Sequence, residues 1–504
     1  MRLAHNLFVG ALGSVAPALL GLIMVPVYLH FLGAEQYGLI AFYLLLQSLV
    51  QVFDAGITTT VNREVARSCV EGSHADIMTT ARLVQALAWL SWGIAAVIAI
   101  SLLLLAPFVV RSWLQLHQLS MHQATMALAL MAVTLGLRWP IGLYQSVLLG
   151  AEKIIRSSQI NLVMVMLLYG GAGLIVAWVS SDVRYFFAWN ALVGLLHVLT
   201  MRASAAQTLT PPADFRPHFD VLLRVWRFSF VMFLISMIGM IYMQMDKLLL
   251  SHLLTLEQFG QYALASLAAS GFYIIVMPVF NVAYPRFSML IASGNREELI
   301  HFYRDFCYLQ SCFLFPLVLA FIIGGEALVR IWTHDASLAL LVAPIMALLG
   351  IGCALHGMMF LPHALTLAAG AVRLALYVNI MVLVLAVPLV WFLALHHGAL
   401  GAAVAWLAFQ SAHLFFGSWL THRVLLPGME LPWLVSDIGP PLVVAVGMGM
   451  AIWLARGGAG GDVRFGSGND AVWTGGALCI ATWGLLWLTS SRLRRGCRNF
   501  LINS

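Results

Sequence analysis

Of 504 residues, 62% are hydrophobic and only 9% are Asp, Glu, Lys or Arg. Soluble domains carry about 25% charge, so most of this chain cannot face water, and no loop is long enough for a soluble catalytic domain. The net charge of +6 follows from where basic loops fall on a membrane protein, which excludes nucleic-acid binding as its explanation.

Apolar runs of about 20 residues, enough to cross a bilayer, recur from end to end. They predict helices near 7–31, 37–61, 82–107, 122–149, 158–180, 184–203, 225–251, 259–285, 303–325, 337–366, 372–395, 399–422, 434–455 and 471–490. The expected fold is therefore an all-α polytopic membrane protein of about fourteen transmembrane helices. The first run is of spanning length and lacks a convincing cleavage site, so it is expected to remain as a helix. With the N-terminus inside, most of the 26 basic residues fall in cytoplasmic loops or the tail, among them Arg63, Arg67, Arg82, Arg224, Arg286, Arg304 and Arg494. That bias predicts cytoplasmic termini at both ends.

The turn after the first run reads HFLGAEQYG at 30–38 and returns as HLLTLEQFG at 252–260, an offset of 222 residues. LLGAEK at 148–153 returns as LAAGAVR at 367–373, which places Gly150 on Gly370 and Lys153 on Arg373. An internal repeat with an even number of spans per copy predicts two parallel six-helix lobes, 1–203 and 224–424, of the kind that handle substrate between them. A Pro-rich cytoplasmic linker, 204–223, joins them. Two additional helices and a basic tail make up 425–504. The Gly-rich loop 457–470 lacks the GK[ST] of a phosphate-binding loop and reads as a linker.

Polar residues inside the spans point to function. Tyr43, Gln47, Gln51, Asp54, Thr58 and Asn62 share one face of the second span at ~100° per residue. A carboxylate in hydrocarbon costs about 2.5–3.5 kcal/mol on insertion scales, so Asp54 should face a cavity or a partner. The fourth span adds Thr134, Arg138 and Gln145 on one face, with Pro140 expected to bend it. Arg138 has the forked donors that match phosphate oxygens; a salt bridge to Asp54 or Asp246 is the competing reading. The seventh span carries Asp246 and Lys247. Neighbours in a helix do not face each other, so each is expected to need its own partner. At the repeat offset, the stripe's place in the second lobe falls to Tyr273, Val276, Phe280 and Tyr284, an aromatic face suited to sugar rings or a lipid tail. His356 and His363, and the adjacent pair His396 and His397, have no carboxylate or cysteine companions. The six cysteines form no CxxC pair. No metal site, disulfide framework or cofactor is expected.

The stretch 25–67, with its LGxxxYG turn, the Asp54-x-Gly56 of the second span and the closing Asn62-Arg63-Glu64, resembles the bacterial O-antigen and exopolysaccharide flippase family. That family belongs to the multidrug/oligosaccharidyl-lipid/polysaccharide exporter superfamily. The likeness is renewed at 148–163 and 246–265, and the two extra helices depart from the family's usual twelve. The resemblance implies translocation of an undecaprenyl-pyrophosphate-linked oligosaccharide across a bacterial inner membrane by alternating access, without enzymatic chemistry. Its partners would be that lipid-linked substrate, membrane lipids, other polysaccharide assembly proteins, and a proton or sodium ion for coupling. The expected cavity residues are Arg138, Lys247, Gln47, Gln51, Asn62, Gln145, Tyr273 and Tyr284, with Asp54 and Asp246 as coupling-ion sites. A cation-coupled multidrug exporter of the same superfamily is the alternative, and a membrane polysaccharide polymerase or ligase a more distant one.

Overall fold

The computed structural model describes residues 2–71, 74–209, 222–455 and 469–489. Most of the predicted linker, the Gly-rich loop and the basic tail lie outside these. The described chain is all-helical: α1 (Arg2–Glu71), α2 (His74–Ser112), α3 (Met121–Arg138), α4 (Ile141–Gly150), α5 (Ile154–Trp178), α6 (Val183–Thr208), α7 (Leu222–Leu253), α8 (Leu256–Ala269), α9 (Tyr273–Ala292), α10 (Arg296–Thr333), α11 (Ala336–Met358), α12 (Phe360–Ala368), α13 (Val372–Ala412), α14 (Ser418–Leu425), α15 (Glu430–Pro432), α16 (Gly439–Ala455) and α17 (Asn469–Thr489). Two π-helical turns, His413–Gly417 and Trp433–Ile438, interrupt the later helices.

Ten stretches among the described residues are long and apolar enough to cross a membrane, and the protein is a multi-pass membrane protein. The expected count of fourteen is not reproduced: continuous helical hydrogen bonding runs predicted spans together in α1 and in α13, and α7 and α17 are not among the ten. α1 is one 70-residue helix by hydrogen bonding, yet Gly33 breaks it with φ 78° and ψ 172°. α13 is broken in the same way at Gly398, with φ 59° and ψ −141°. Left-handed backbone costs about 1–2 kcal/mol for residues with a Cβ, so glycine marks both junctions. The predicted fourth span is likewise two helices, α3 and α4, divided at Trp139–Pro140, where proline has no N–H to continue the ladder.

Polar caps start several helices at loop positions. Ser120 and Gln123 form a capping box on α3. Asp335 accepts from the backbone N–H groups of Ser337 and Leu338 to open α11. The Ser337 hydroxyl and the Leu338 amide hold the Asp335 carboxyl below its ordinary pKa.

The chain divides into two compact units, Met1–Gly260 and Gln261–Ser504. In the first, α1 packs on α5, α7 and α4, while α6 packs on α3, α5 and α4. Its core includes Ile57, Val61, Leu83, Leu87, Leu143, Val147, Val198 and Met201. In the second, α10 is central and packs on α17, α11, α9 and α16.

The repeated turn is now explicable. Glu35 is buried and its carboxylate accepts three backbone N–H groups, from His117 (2.7 Å), Gln118 (2.7 Å) and Leu119 (3.1 Å). Gln36 accepts from the Val183 amide at 2.8 Å and donates to the Ser181 carbonyl at 3.4 Å. Gln115 meets the second copy of the turn, pairing its carbonyl with the Leu256 amide at 3.1 Å. A Cβ on Gly38 would lie 2.0 Å from the Leu256 carbonyl oxygen, and one on Gly260 would lie 3.2 Å from the Gly38 Cα. The two repeated glycines therefore sit back to back. Both copies of the turn lie at the same end of this unit, which is what a parallel repeat requires.

The second echo needs one correction. Its turns correspond at an offset of 218, not 220: Glu152 (φ 58°) holds the left-handed position in the first copy and Gly370 (φ 68°) in the second. Gly150 answers to a different need, since its Cβ would strike the Asn62 carbonyl at 2.7 Å.

Candidate functional site

The predicted polar residues of the first unit lie on four of its helices: α1, α3, α4 and α7. Asp54 points from α1 onto α4, where Gly142 leaves room for it; a Cβ there would stand 2.1 Å from Asp54 Oδ2. The other carboxylate oxygen, Oδ1, is buried and finds no hydrogen-bond partner among the described residues. Thr58 donates to the Asp54 carbonyl (3.1 Å) and so serves the helix backbone instead of the carboxylate. A carboxyl buried without a partner is costly while charged.

Arg138 ends α3 half-buried. Its Nη1 donates to the Tyr43 hydroxyl at 3.4 Å, a long bond, and its stem packs over Gly194 of α6, whose Cβ would stand 3.4 Å from Arg138 Cγ. Among the described residues Arg138 forms no ion pair, so the expected alternative of a salt bridge to Asp54 or Asp246 is not what the structure holds. Tyr43, buried and edge-on to Phe187 at 5.3 Å, orients the guanidinium.

Asp246 and Lys247 overturn a helical-wheel expectation. Lys247 Nζ lies 3.8 Å from Asp246 Oδ1, although the two are adjacent in α7. Four methylenes let the ammonium curl back across the quarter-turn that separates their Cα–Cβ directions. The Asp246 carboxylate is almost fully buried, whereas the Lys247 side chain keeps 23% of its exposure.

The remaining polar candidates are more dispersed. Gln47 and Gln145 are half-buried, while Gln51 and Asn62 are exposed. The stripe on α1 thus runs from the buried Tyr43 through the half-buried Asp54 to the exposed Asn62 near the helix end.

In the second unit the aromatic face forms as a connected set. Tyr273 Oη and His356 Nδ1 lie 2.7 Å apart, and the Tyr273 ring leans on Phe360 at 5.8 Å. Phe360 is edge-on to Phe280, and Phe280 stacks on Tyr284 at 6.0 Å with only 3° between planes. Tyr284 keeps 39% exposure, so the ladder runs from buried to accessible. Val276 faces inward against Gly357.

Two buried arrangements had no signal in the sequence beyond their polarity. Arg304 grips Asp437 through Nε and Nη2 at 3.0–3.2 Å, tying the α15–α16 segment to α10. One turn of chemistry away, the Tyr303 hydroxyl and His422 Nε2 are 2.8 Å apart, beneath the Trp433 ring. Tyr303 and Arg304 are adjacent residues, as are Gly357 and His356, so only three-dimensional packing reveals which partners they take.

A family described as polysaccharide biosynthesis protein matches residues 3–291. The chain belongs to that family. No curated protein sequence matches the chain. Among solved structures, the lipid II flippase MurJ in an inward closed conformation superposes with a TM-score of 0.71 at 13% identity, covering 96% of this chain and 99% of MurJ. An inward-facing multidrug resistance MATE transporter of the MOP superfamily gives 0.66 at 14% identity, covering 81% and 95%. The MATE transporter ClbM in complex with Rb+ gives 0.50 at 16% identity, covering 86% and 95%. At these identities the likeness establishes a shared MurJ/MATE fold.

Proposed function

We propose that the protein is a flippase that moves an undecaprenyl-pyrophosphate-linked oligosaccharide from the cytoplasmic to the periplasmic leaflet of a bacterial inner membrane. The observation that carries this reading is the Arg138 guanidinium: half-buried among membrane helices, without an acidic partner among the described residues, in a chain of a polysaccharide biosynthesis family. A cation held inside a membrane bundle needs a compensating anion. Pyrophosphate supplies one, and its oxygens match the guanidinium fork. Lys247 is the second phosphate contact, partly neutralised by Asp246 while substrate is absent. Gln47, Gln51, Asn62 and Gln145 offer hydrogen bonds to sugar hydroxyls, and the Tyr273–Tyr284 ladder offers faces for sugar rings. A pyrophosphate with sugars cannot enter hydrocarbon cheaply, so the polar path carries the headgroup while the polyprenyl tail stays in lipid.

Asp54 is the preferred coupling site, because its buried Oδ1 has no hydrogen-bond partner among the described residues, with Asp246 as the second candidate. The fold shared with a MATE transporter solved with Rb+ supports a cation-linked cycle. The same fold favours a second reading, cation-coupled drug export. Deleting the gene decides between them. Lipid-linked oligosaccharide accumulating on the cytoplasmic leaflet is the flippase outcome; unchanged lipid intermediates with increased drug sensitivity would establish the exporter.

A further inference from the structure

The end of the first unit opposite the Glu35 turn has a cavity that the proposed transport path does not use. It lies between α2, α4 and α6 and measures about 520 Å³, within the range of about 300–1,000 Å³ typical of ligand pockets. Its wall is largely apolar, with Val84, Ala88, Trp89, Trp92 and Val147, and Arg202 is the cation that lines it. The Trp92 indole donates to the Tyr144 hydroxyl at 3.1 Å, which fixes one side of the cavity. Trp89 is half exposed, the behaviour of an aromatic ring at a membrane–water interface.

The rim is basic. Arg202 is exposed near the end of α6, and Arg82 is exposed beside the lining residue Ala81. Lys153 and Arg156 reach the last turn of α6, donating to Thr208 at 3.2 Å and Gln207 at 2.5 Å. Glu152 is the carboxylate that shares their turn.

We infer that this cavity holds an anionic phospholipid, with its phosphate on Arg202 and one acyl chain along the apolar wall. Basic pockets between membrane helices recognise anionic headgroups in this way. The lining cation and the apolar wall of the cavity match the two parts of a phospholipid and suit neither a water-soluble anion nor a hydrocarbon alone. The inference rests on the helices spanning a membrane and is independent of which substrate the protein transports.

The test uses the full-length protein in phosphatidylcholine vesicles doped with phosphatidylglycerol bearing a photoreactive acyl chain, with cross-links mapped by mass spectrometry. Cross-links are expected on 81–92, 144–147 and 202–209, and Arg202→Gln should reduce them about fivefold. Ala88→Phe, which fills the cavity, should abolish them. Arg202 is exposed, so its variant keeps the fold, as thermal unfolding of each variant will verify. Arg138→Ala should keep full labelling while losing transport, which separates this site from the transport path. Equal labelling by a phosphatidylcholine probe, or unchanged labelling in Arg202→Gln, overturns the inference. So does displacement by undecaprenyl pyrophosphate but not by excess unlabelled phosphatidylglycerol, which would assign the cavity to the transported lipid.

Discussion

Asp54 and Arg138 are both ionisable and both held inside the first unit, but they are held differently. Asp54 is pressed onto a glycine and keeps one oxygen unserved; Arg138 has a tyrosine hydroxyl at the long end of hydrogen bonding. Weak pre-existing partners leave most of the interaction energy for a ligand. Replacing Arg138 with Ala should cut flipping at least tenfold, with Lys recovering part of it because a point charge lacks the fork; lipid-linked oligosaccharide accumulation in cells is the readout. Asp54→Asn should leave folding intact, since an amide fits the same space, yet remove the dependence of transport on an imposed ion gradient in vesicles. Undiminished gradient dependence in that variant would move the coupling role to Asp246. The arc of residues on α1 was legible from helical periodicity alone. What periodicity could not show was reach: side-chain length brings Lys247 back to Asp246, and Tyr43 across to Arg138, and neither follows from the angle at which a Cβ leaves its helix.

At the scale of helices, the apolar runs marked most spans, and the glycines at 33 and 398 mark junctions that continuous hydrogen bonding conceals. The π-helical turns at His413–Gly417 and Trp433–Ile438 had no sequence signature, because one extra residue in a turn leaves composition unchanged. The repeated Gly38 was legible as a motif but not as a contact. Gly38→Ala would force a methyl against the Leu256 carbonyl and should cost about 1–3 kcal/mol, measurable as a lowered Tm in detergent or as loss of folded protein. Ala at Gly447, which has open space around it, provides the matched control. The Arg304–Asp437 pair fastens the added helices to α10, with Asp437 fully buried and the Arg304 side chain 24% exposed. Asp437→Asn should cost about 3 kcal/mol, near the low end for breaking a buried pair because Arg304 can still find water. Arg304→Met combined with Asp437→Leu should recover much of that loss, which a simple packing defect at either position would not allow.

For the molecule as a whole, the distribution of arginines implied an orientation and the fold adds an independent constraint. The turns at 30–38, 113–120, 181–183 and 252–260 are tied together at one end by Glu35, Gln36 and Gln115. The Lys153, Arg156 and Arg202 region lies at the other end, with the Arg63 end of α1. Alkaline phosphatase fused after Leu116 or Ser180 should therefore be active, and fusions at Lys153 or after Ser504 inactive. The reverse pattern would turn the proposed transport direction around. Which helices group with which was beyond the sequence: α7 opens the second repeat yet lies in the first compact unit, because long-range packing, not chain order, decides partnership.

The Glu35 clamp has one mechanical corollary. Three amide donors on one carboxylate and two bonds on the neighbouring glutamine splice three hairpins into a single stiff collar. The proposed alternating cycle could not splay these hairpins one at a time at that rim without stranding a buried carboxylate, so in that cycle they would travel as a block. The compliant joints then have to lie elsewhere along the helices, and the Trp139–Pro140 interruption is a natural place for one of them.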